Sequence, residues 1–296
     1  MLSFLKGGKT NLVVTLDREF GHYFPGDVVR AMVTIESEQD LKVQEGRVAF
    51  VRREEYQYRY RSASSGKSHV SSYRTAWDTD EQELRREVIM QEGVLPGGVP
   101  HVYQFEAAIP SDASPSCEGN IVKLKWLAKA TLDRKMAPDV NAETEVVVFV
   151  VPPGRQAGAG ESGHSNEPRE AELALALPGK EWVAGDTVEG QLQVRPQKDF
   201  DVSEVRVELV CREYVPRAAG HEHLSEIKLQ VAGKTHLQSG QALAYPFSLR
   251  IPDSSLPTSQ MRQSSVSWML KGVLARSLRA DTRVEEEIFV HSGRPD

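Results

Sequence analysis

"YFPGDVVRAMVTIES", residues 23–37, opens with a Pro-Gly turn and continues with apolar residues at every second position. The chain writes the same arrangement again as "WVAGDTVEGQLQVRP", residues 182–196. Apolar side chains that alternate with polar ones have the period of a β-strand with one buried face. The two segments therefore predict one turn-and-strand unit that occurs twice.

Two ungapped blocks extend this repeat over much of the chain. One offset along the sequence places Gly26 on Gly185, and a shorter offset places Trp126 on Trp268. Further aligned pairs are Asp27 with Asp186, Arg53 with Arg212, Glu54 with Glu213, Tyr103 with Tyr245, Phe105 with Phe247, and Ile109 with Ile251. Because the second offset is shorter than the first, the first copy carries extra residues between the blocks. Two collinear blocks indicate an internal duplication.

The periodicity predicts the fold class. Both copies alternate with period two, no long stretch has the helical period of 3.6, and Pro or Gly marks the turns. Many short strands with such turns predict an all-β chain with two tandem antiparallel immunoglobulin-like β-sandwiches. Residues 152–170 are rich in Pro, Gly, Ser and charge, which is typical of a flexible linker. We therefore predict sandwich domains at 1–151 and 171–296.

Composition excludes several function classes. The net charge is -6 and both signs are mixed along the chain, which argues against a nucleic-acid or general membrane binder. The apolar run at the start is too short for a signal peptide. Two cysteines give neither a disulfide framework nor a cysteine-based zinc site, so we expect a cytoplasmic protein. The pattern predicts that Cys211 lies in the core, while Cys117 is left open as an exposed thiol.

The order of the motifs resembles a known family. "FPGDVVRAMVTI", "LPGGVPHVYQFEAAIPSDASPSCEG" and "IVKLKWLAKATLDR" resemble the N-terminal domain of arrestin-like proteins. "VAGDTVEGQLQV", "YPFSLRIPDSSLPTS" and "VSWMLKGVLAR" resemble the companion C-terminal domain. The chain is most similar to bacterial and archaeal members of the sporulation-control type. The resemblance implies two seven- or eight-stranded sandwiches with concave faces, no catalysis, and a role as scaffold, sorting adaptor or regulator.

Two family features are missing from this sequence. The last strand of the first copy reads "ETEVVVFVV", residues 143–151, without the basic residue that receptor arrestins use to sense phosphate. Pro152 and Pro153 are followed by Gly154 and Arg155, so the Pro-Pro-x-Tyr motif that recruits ubiquitin ligases is absent. The resemblance therefore implies neither the receptor switch nor ligase recruitment here.

The main candidate site is "VRREEYQYRYRSASSGKSHVSSYR", residues 51–74, a segment that contains most of the extra residues of the first copy. We predict a basic aromatic hairpin that binds an acidic or phosphorylated protein partner. The predicted partner-binding residues are Arg52, Arg53, Tyr56, Tyr58, Arg59, Tyr60, Arg61, Lys67 and Arg74. The alternative is a hairpin with tyrosines packed on the sheet, arginines in solvent, and neutralising acids nearby at Asp78, Asp80, Glu81 and Glu83. Most of the basic residues of this hairpin do not recur in the second copy. They therefore indicate a binding site more strongly than the charged residues that both copies share.

Other chemistry has weaker support in the sequence. "HEH", residues 221–223, offers two imidazoles but no third ligand at a fixed spacing, so a solvated loop is expected and no metal. No nucleophile elbow, phosphate loop or dinucleotide motif occurs, and we expect neither catalysis nor a cofactor. Leu2, Phe4 and Leu5 give at most weak membrane contact.

These observations lead to one main hypothesis and one alternative. The main hypothesis is a non-enzymatic scaffold that binds protein partners through sheet edges, concave faces and the hairpin, with β-strand addition as the binding mode. The alternative is a peripheral protein that binds anionic lipid through the same hairpin together with Leu2 and Phe4.

Overall fold

The computed structural model describes residues 10–18, 22–62, 72–152, 160–277 and 279–293. All regular elements of these residues are β-strands, which confirms the predicted all-β class. Among the same residues, no helix is long and apolar enough to cross a membrane.

The described part of the chain contains 23 strands. The two copies have their strands in a similar order. The first copy contains β1 (Thr10–Leu16), β2 (His22–Tyr23), β3 (Val28–Ser37), β4 (Leu41–Val43), β5 (Glu45–Ser62), β6 (Ser72–Met90), β7 (Gly93–Leu95), β8 (His101–Ala108), β9 (Cys117–Glu118), β10 (Val122–Asp133) and β11 (Val140–Val148). The remainder contains β12 (Gly160–Ser162), β13 (Ala171–Leu177), β14 (Glu181–Val183), β15 (Thr187–Pro196), β16 (Phe200–Val202), β17 (Glu204–Val215), β18 (His221–Ala232), β19 (Thr235–Leu237), β20 (Leu243–Arg250), β21 (Ser259–Gln260), β22 (Ser265–Ala275) and β23 (Thr282–His291).

The strands form matching sheets in the two copies. A three-stranded sheet has the order β1-β3-β8, and its counterpart has the order β12-β13-β15-β20. A larger sheet runs β2-β11-β10-β5-β6, and its counterpart runs β14-β23-β22-β17-β18. In each larger sheet the short first strand is parallel to its neighbour, as β2 is to β11 and β14 is to β23. The recurring strand order is what a duplicated sandwich requires.

The chain divides into two compact units, each assembled from separate segments of the sequence. The first holds the described residues of Met1–Glu55, Thr79–Ser116 and Lys123–Phe149. The second holds those of Tyr56–Asp78, Cys117–Val122 and Val150–Asp296, and so includes the outer part of the hairpin β5–β6. Within the predicted linker 152–170, strand β12 pairs with β13. The domain boundaries at 151 and 171 stay a prediction.

The Gly-Asp turn before β3 and the one before β15 are built in the same way. Gly26 and Gly185 have φ angles of 89° and 93°, in the left-handed region that favours glycine. The next residue, an aspartate, accepts a hydrogen bond from a backbone N–H three residues before it, with distances of 3.1 and 2.9 Å. Each glycine N–H also donates to an isoleucine carbonyl, that of Ile109 or Ile251, at 3.1 Å. The turn thus fastens the start of β3 and of β15 to the end of an adjacent strand.

The two aligned tryptophans occupy equivalent positions in the two cores. The indole N–H of Trp126 donates to the carbonyl of Ser114 at 3.1 Å, and that of Trp268 donates to the carbonyl of Leu256 at 2.8 Å. Both indoles are buried, and Trp126 stacks on Phe50 with 5.7 Å between ring centroids. A buried indole needs such an acceptor, because an unpaired N–H in the core is costly.

Candidate functional site

The hairpin of β5 and β6 carries most of the predicted binding residues. Its strands are 18 and 19 residues long, far beyond the usual strand length of about 5 or 6 residues. In the second unit, its outer part comprises residues 56–62 and 72–78. Lys67 lies outside the described residues. The alternation of side chains gives this part of the hairpin two chemically different faces.

One face carries the tyrosines, and an arginine from another segment of the second unit covers it. The guanidinium of Arg217 lies 4.1 Å from the ring centroid of Tyr58, and its Nη1 donates to the hydroxyl of Tyr56 at 3.0 Å. Arg217 also pairs with Asp78, and this hydrogen bond raises the pKa of the guanidinium. Tyr56 is buried, and the rings of Tyr58 and Tyr60 lie 5.8 Å apart. These contacts give the tyrosines a packing role.

The other face carries arginines whose guanidinium groups contact an exposed aromatic ring. The guanidinium of Arg59 lies 4.1 Å from the ring centroid of Tyr73, and Nε of Arg61 donates to the Tyr73 hydroxyl at 3.3 Å. That bond lowers the pKa of the phenol. Tyr73 is 43% exposed and Trp77 is 46% exposed. This face therefore combines accessible aromatic surface with guanidinium groups, a combination that is enriched at protein interfaces.

Ion pairing divides the predicted arginines into two groups. Arg53, in the first unit, donates to Glu81 at 2.9 Å and to both carboxylate oxygens of Glu143, at 3.0 and 2.9 Å. Its pKa is raised, chiefly by the bond to Glu143. Arg52 is half-buried. Arg59, Arg61 and Arg74 are exposed, and none of them forms an ion pair within the part of the chain that the structure describes. Positive charge that is available to a partner is thus concentrated on the outer part of the hairpin.

Three residues outside the predicted set belong to this cluster. Tyr73 and Trp77 share a face of β6 because they are four residues apart, which the alternation of β6 makes readable in the sequence. The turn that contains Arg217 is held against the hairpin by a bridge between Arg59 and Ala218. No local signal points to Arg217, because it belongs to the other copy and lies far along the chain from the tyrosines that it covers.

The "HEH" segment lies on β18 and its side chains take part in hydrogen bonds and ion pairs. Nε2 of His221 lies 3.0 Å from Oε1 of Gln57, and Glu222 pairs with Arg212 at 2.9 Å. Among the residues that are described, no group of three or more His, Cys, Asp or Glu side chains could hold a metal ion.

A buried carboxylate in the second unit holds a distant segment of the chain. Glu213 is 1% exposed, and its Oε1 accepts from the backbone N–H and the side-chain amide of Asn120, both at 3.1 Å. Its Oε2 accepts from the N–H of Ile121 at 2.8 Å and of Val122 at 3.2 Å. Its aligned counterpart in the first copy, Glu54, is also fully buried. The duplicated glutamate is therefore a structural group, and its role was not evident from the alignment.

Both cysteine thiols are free and buried. Burial raises the pKa of Cys211 to about 12, which removes the thiolate that a nucleophile needs. Cys117, which the sequence left open as an exposed thiol, is only 8% exposed because it lies in strand β9 and not in a free turn. Neither cysteine is placed for catalysis.

The second unit also contains an open groove beside the edge strand β20. Its volume is about 1110 Å³, and its lining includes Gly190, Leu229, Val231 and Phe247. A Cβ on Gly190 would lie 2.8 Å from Cζ of Phe247, so the missing side chain makes room for this ring. β20 is the last strand of its sheet in the described part of the chain, and its outer edge can therefore pair with an added strand.

Comparison with models of protein families gives one match for each half of the chain. Residues 12–153 match the model of the arrestin (or S-antigen) N-terminal domain. Residues 170–293 match the model of the SpoOM protein family. A search of curated proteins found no match. The two family matches lie on the two copies of the duplication.

Proposed function

Because the chain is an arrestin-like two-domain protein with a sporulation-control-type relationship, we propose that it is a non-enzymatic adaptor for an acidic or phosphorylated protein segment. Folds of these families are typical of non-catalytic regulators and adaptors, and proteins of the arrestin-like fold commonly bind other proteins. The outer part of the hairpin β5–β6 is the proposed site. Because both thiols are free and buried, we also propose that the protein works in the cytoplasm.

The observation that carries this proposal is the state of the arginines on the outer hairpin. Arg59 and Arg61 contact the exposed ring of Tyr73, which orients their guanidinium groups without neutralising them. A guanidinium forms paired hydrogen bonds with a carboxylate or a phosphate, and an adjacent aromatic ring adds apolar contact area. Arg53 is already saturated by two glutamates and is therefore left out of the proposed site. Arg74 adds a third exposed charge.

Free strand edges supply a second contact for the same partner. β20 is eight residues long and borders the groove that contains Phe247. An extended segment that pairs with such an edge gains backbone hydrogen bonds, while side chains at alternate positions enter the neighbouring groove. This supports β-strand addition as the binding mode in the adaptor proposal. Hydrogen exchange tests this binding mode: an acidic peptide that binds the protein should protect the backbone amides of β20. Unchanged exchange would remove the edge from the proposal.

The hairpin site is tested with the full chain and an array of acidic and phosphoserine peptides. The variant replaces Arg59, Arg61 and Arg74 with serine, and the matched control replaces three exposed arginines elsewhere, Arg169, Arg195 and Arg279, with serine. We expect the hairpin variant to lose at least about tenfold in affinity, which corresponds to about 1.4 kcal/mol, and the control to keep its affinity. Equal losses in both variants would mean that net charge alone drives binding.

Anionic lipid is the alternative ligand for the same arginines. Vesicles of phosphatidylcholine with phosphatidylserine, sedimented with the protein at low and high salt, distinguish the two. Binding to these vesicles that depends on Arg59 and Arg61, without binding to any acidic peptide, would replace the adaptor proposal with the membrane alternative. The other residues of that alternative, Leu2 and Phe4, lie outside the described part of the chain.

A further inference from the structure

The outer face of the three-stranded sheet β1-β3-β8 in the first unit is uncharged at its centre. Strand register places its central side chains in two rows across the sheet. The rows are Thr15, Met32 and Gln104, and next to them Val13, Thr34 and Val102. Met32 is 45% exposed and Val102 is 53% exposed, while the alternate residues of the same strands fill the core. Within the part of the chain that the structure describes, this face therefore shows apolar side chains to solvent and no further layer covers it.

The second copy does not repeat these apolar residues. Its register gives the equivalent rows Ala176, Gln191 and Pro246, and Ala174, Gln193 and Ala244. Met32 thus corresponds to Gln191, and Val102 corresponds to Ala244. Both copies form the same sheet with the same buried face, so the fold does not require Met or Val at the exposed positions. Four of the six equivalent positions in the second copy carry the smaller apolar residues Ala and Pro. The larger exposed side chains of Met32 and Val102 are therefore particular to the first copy, which supports a role in binding.

The charges around this face are mainly acidic. Arg30 lies in the row next to Met32, but it pairs with Glu106 at 2.9 Å and lies 4.0 Å from Asp17. At the other end of β3, Glu36 is exposed. These four side chains carry a net charge of −2, counting three acids and one base. The apolar centre is therefore bordered by negative charge at both ends of β3.

We propose that this outer face is a docking surface for a peptide segment with apolar side chains at its centre and Lys or Arg at both ends. Apolar residues of the segment would cover Val13, Met32 and Val102, and its basic ends would meet Glu36 and Glu106. Opposite charge speeds association and rejects acidic competitors. A second copy of this chain is disfavoured, since its face would bring a like-charged rim, and anionic lipid is disfavoured for the same reason.

The width of the face limits the strength of binding. Three strands about 4.8 Å apart offer room for two or three apolar side chains across the sheet. Such an area lies at the low end of protein interfaces, below about 1,200 Å² in total. We therefore expect dissociation constants on the order of 10 to 100 µM, which are typical of transient contacts and within reach of fluorescence anisotropy.

The test uses the full chain on an array of random peptides and compares two matched variants. One variant combines Met32→Ser with Val102→Ser, and the control combines Val88→Ser with Leu224→Ser, two exposed apolar side chains outside this sheet and outside β20. Peptides that lose about tenfold or more in affinity only with the first variant should be enriched in apolar residues flanked by Lys or Arg. If no peptide depends on Met32 and Val102, or if the dependent peptides are acidic, the proposal is wrong.

Two further measurements complete the test. Glu36→Gln combined with Glu106→Gln should weaken the same basic peptides by about threefold to tenfold and reduce the dependence of their binding on salt. Sedimentation of the protein alone over a range of concentrations reveals any dimer; a dimer that Met32→Ser and Val102→Ser abolish would overturn the proposal in favour of self-association. This proposal is independent of the hairpin proposal. The variant that replaces Arg59, Arg61 and Arg74 should therefore bind these peptides normally.

Discussion

The clearest test of the packing argument is the replacement of Glu213 by glutamine. The substitution keeps the size of the buried side chain but turns one of its two oxygens into an NH₂ group. Each oxygen of the carboxylate accepts two hydrogen bonds, from Asn120 on one side and from Ile121 and Val122 on the other. One orientation of the amide turns its NH₂ group toward the buried N–H groups of Ile121 and Val122, whereas the other turns it toward exposed Asn120, whose side-chain amide can rotate to accept. The second orientation is therefore favoured, and in it the backbone N–H of Asn120 loses its acceptor.

The expected loss of stability follows from that N–H group. An N–H that loses its acceptor inside the protein costs about 1–3 kcal/mol, so the substitution should cost about 1–3 kcal/mol. Gly119 offers an independent route to the same contacts, since a Cβ there would lie 2.3 Å from Oε2 of Glu213 and 2.9 Å from Cδ1 of Leu256. Gly119→Ala should therefore be destabilising, and its effect should be less than additive with Glu213→Gln because both break the same bonds.

Urea unfolding, followed by tryptophan fluorescence, measures the free energy of unfolding. Hydrogen exchange of residues 117–124 measures how far their backbone amides lose protection. The control is Glu222→Gln, which alters an exposed ion pair with Arg212 and should cost no more than about 0.5 kcal/mol. The reasoning is refuted if Glu213→Gln stays within about 0.5 kcal/mol of the parent protein and the amides of Ile121 and Val122 exchange at unchanged rates.

Three further predictions concern packing, acid stability and thiol reactivity. Gly190→Ala should cost about 1–3 kcal/mol, because the new Cβ lies 2.8 Å from Cζ of Phe247, and an unchanged melting temperature would contradict this. The bond from Arg53 lowers the pKa of Glu143 below its ordinary value of 4.5, so the carboxylate contributes stability above that pH and the contribution is lost as the pH falls through the lowered pKa. Arg53→Met should therefore lose less stability than the parent between about pH 6 and pH 3 in urea titrations; the change should be small, since the carboxylate is partly solvated. Because burial raises the pKa of Cys211 to about 12, iodoacetamide at about pH 8 should label this thiol only after unfolding, and rapid labelling of the native protein would show that it is accessible.

The candidate site was only partly readable from the sequence. The period of two placed Tyr56 and Tyr58 on one face and Arg59 and Arg61 on the other, and the lack of duplication singled out the hairpin. The sequence treated all the arginines of this segment alike. Arg53 differs from Arg59 because Glu143, distant along the chain, accepts two hydrogen bonds from it. Such pairing depends on which strands become neighbours, and no local pattern contains that information.

The sequence by itself determined the architecture: alternating apolar residues can bury one face only as β-strands, and the repeated Gly-Asp turns and tryptophans required the same sandwich twice. The tertiary structure decided which charges remain available. It covered the tyrosines with Arg217, enclosed Glu213 among the amides of Asn120, Ile121 and Val122, and left Met32 and Val102 uncovered. The physical reason is range, because periodicity reports how each residue faces its own strand, whereas ion pairs and burial depend on side chains that meet only after folding.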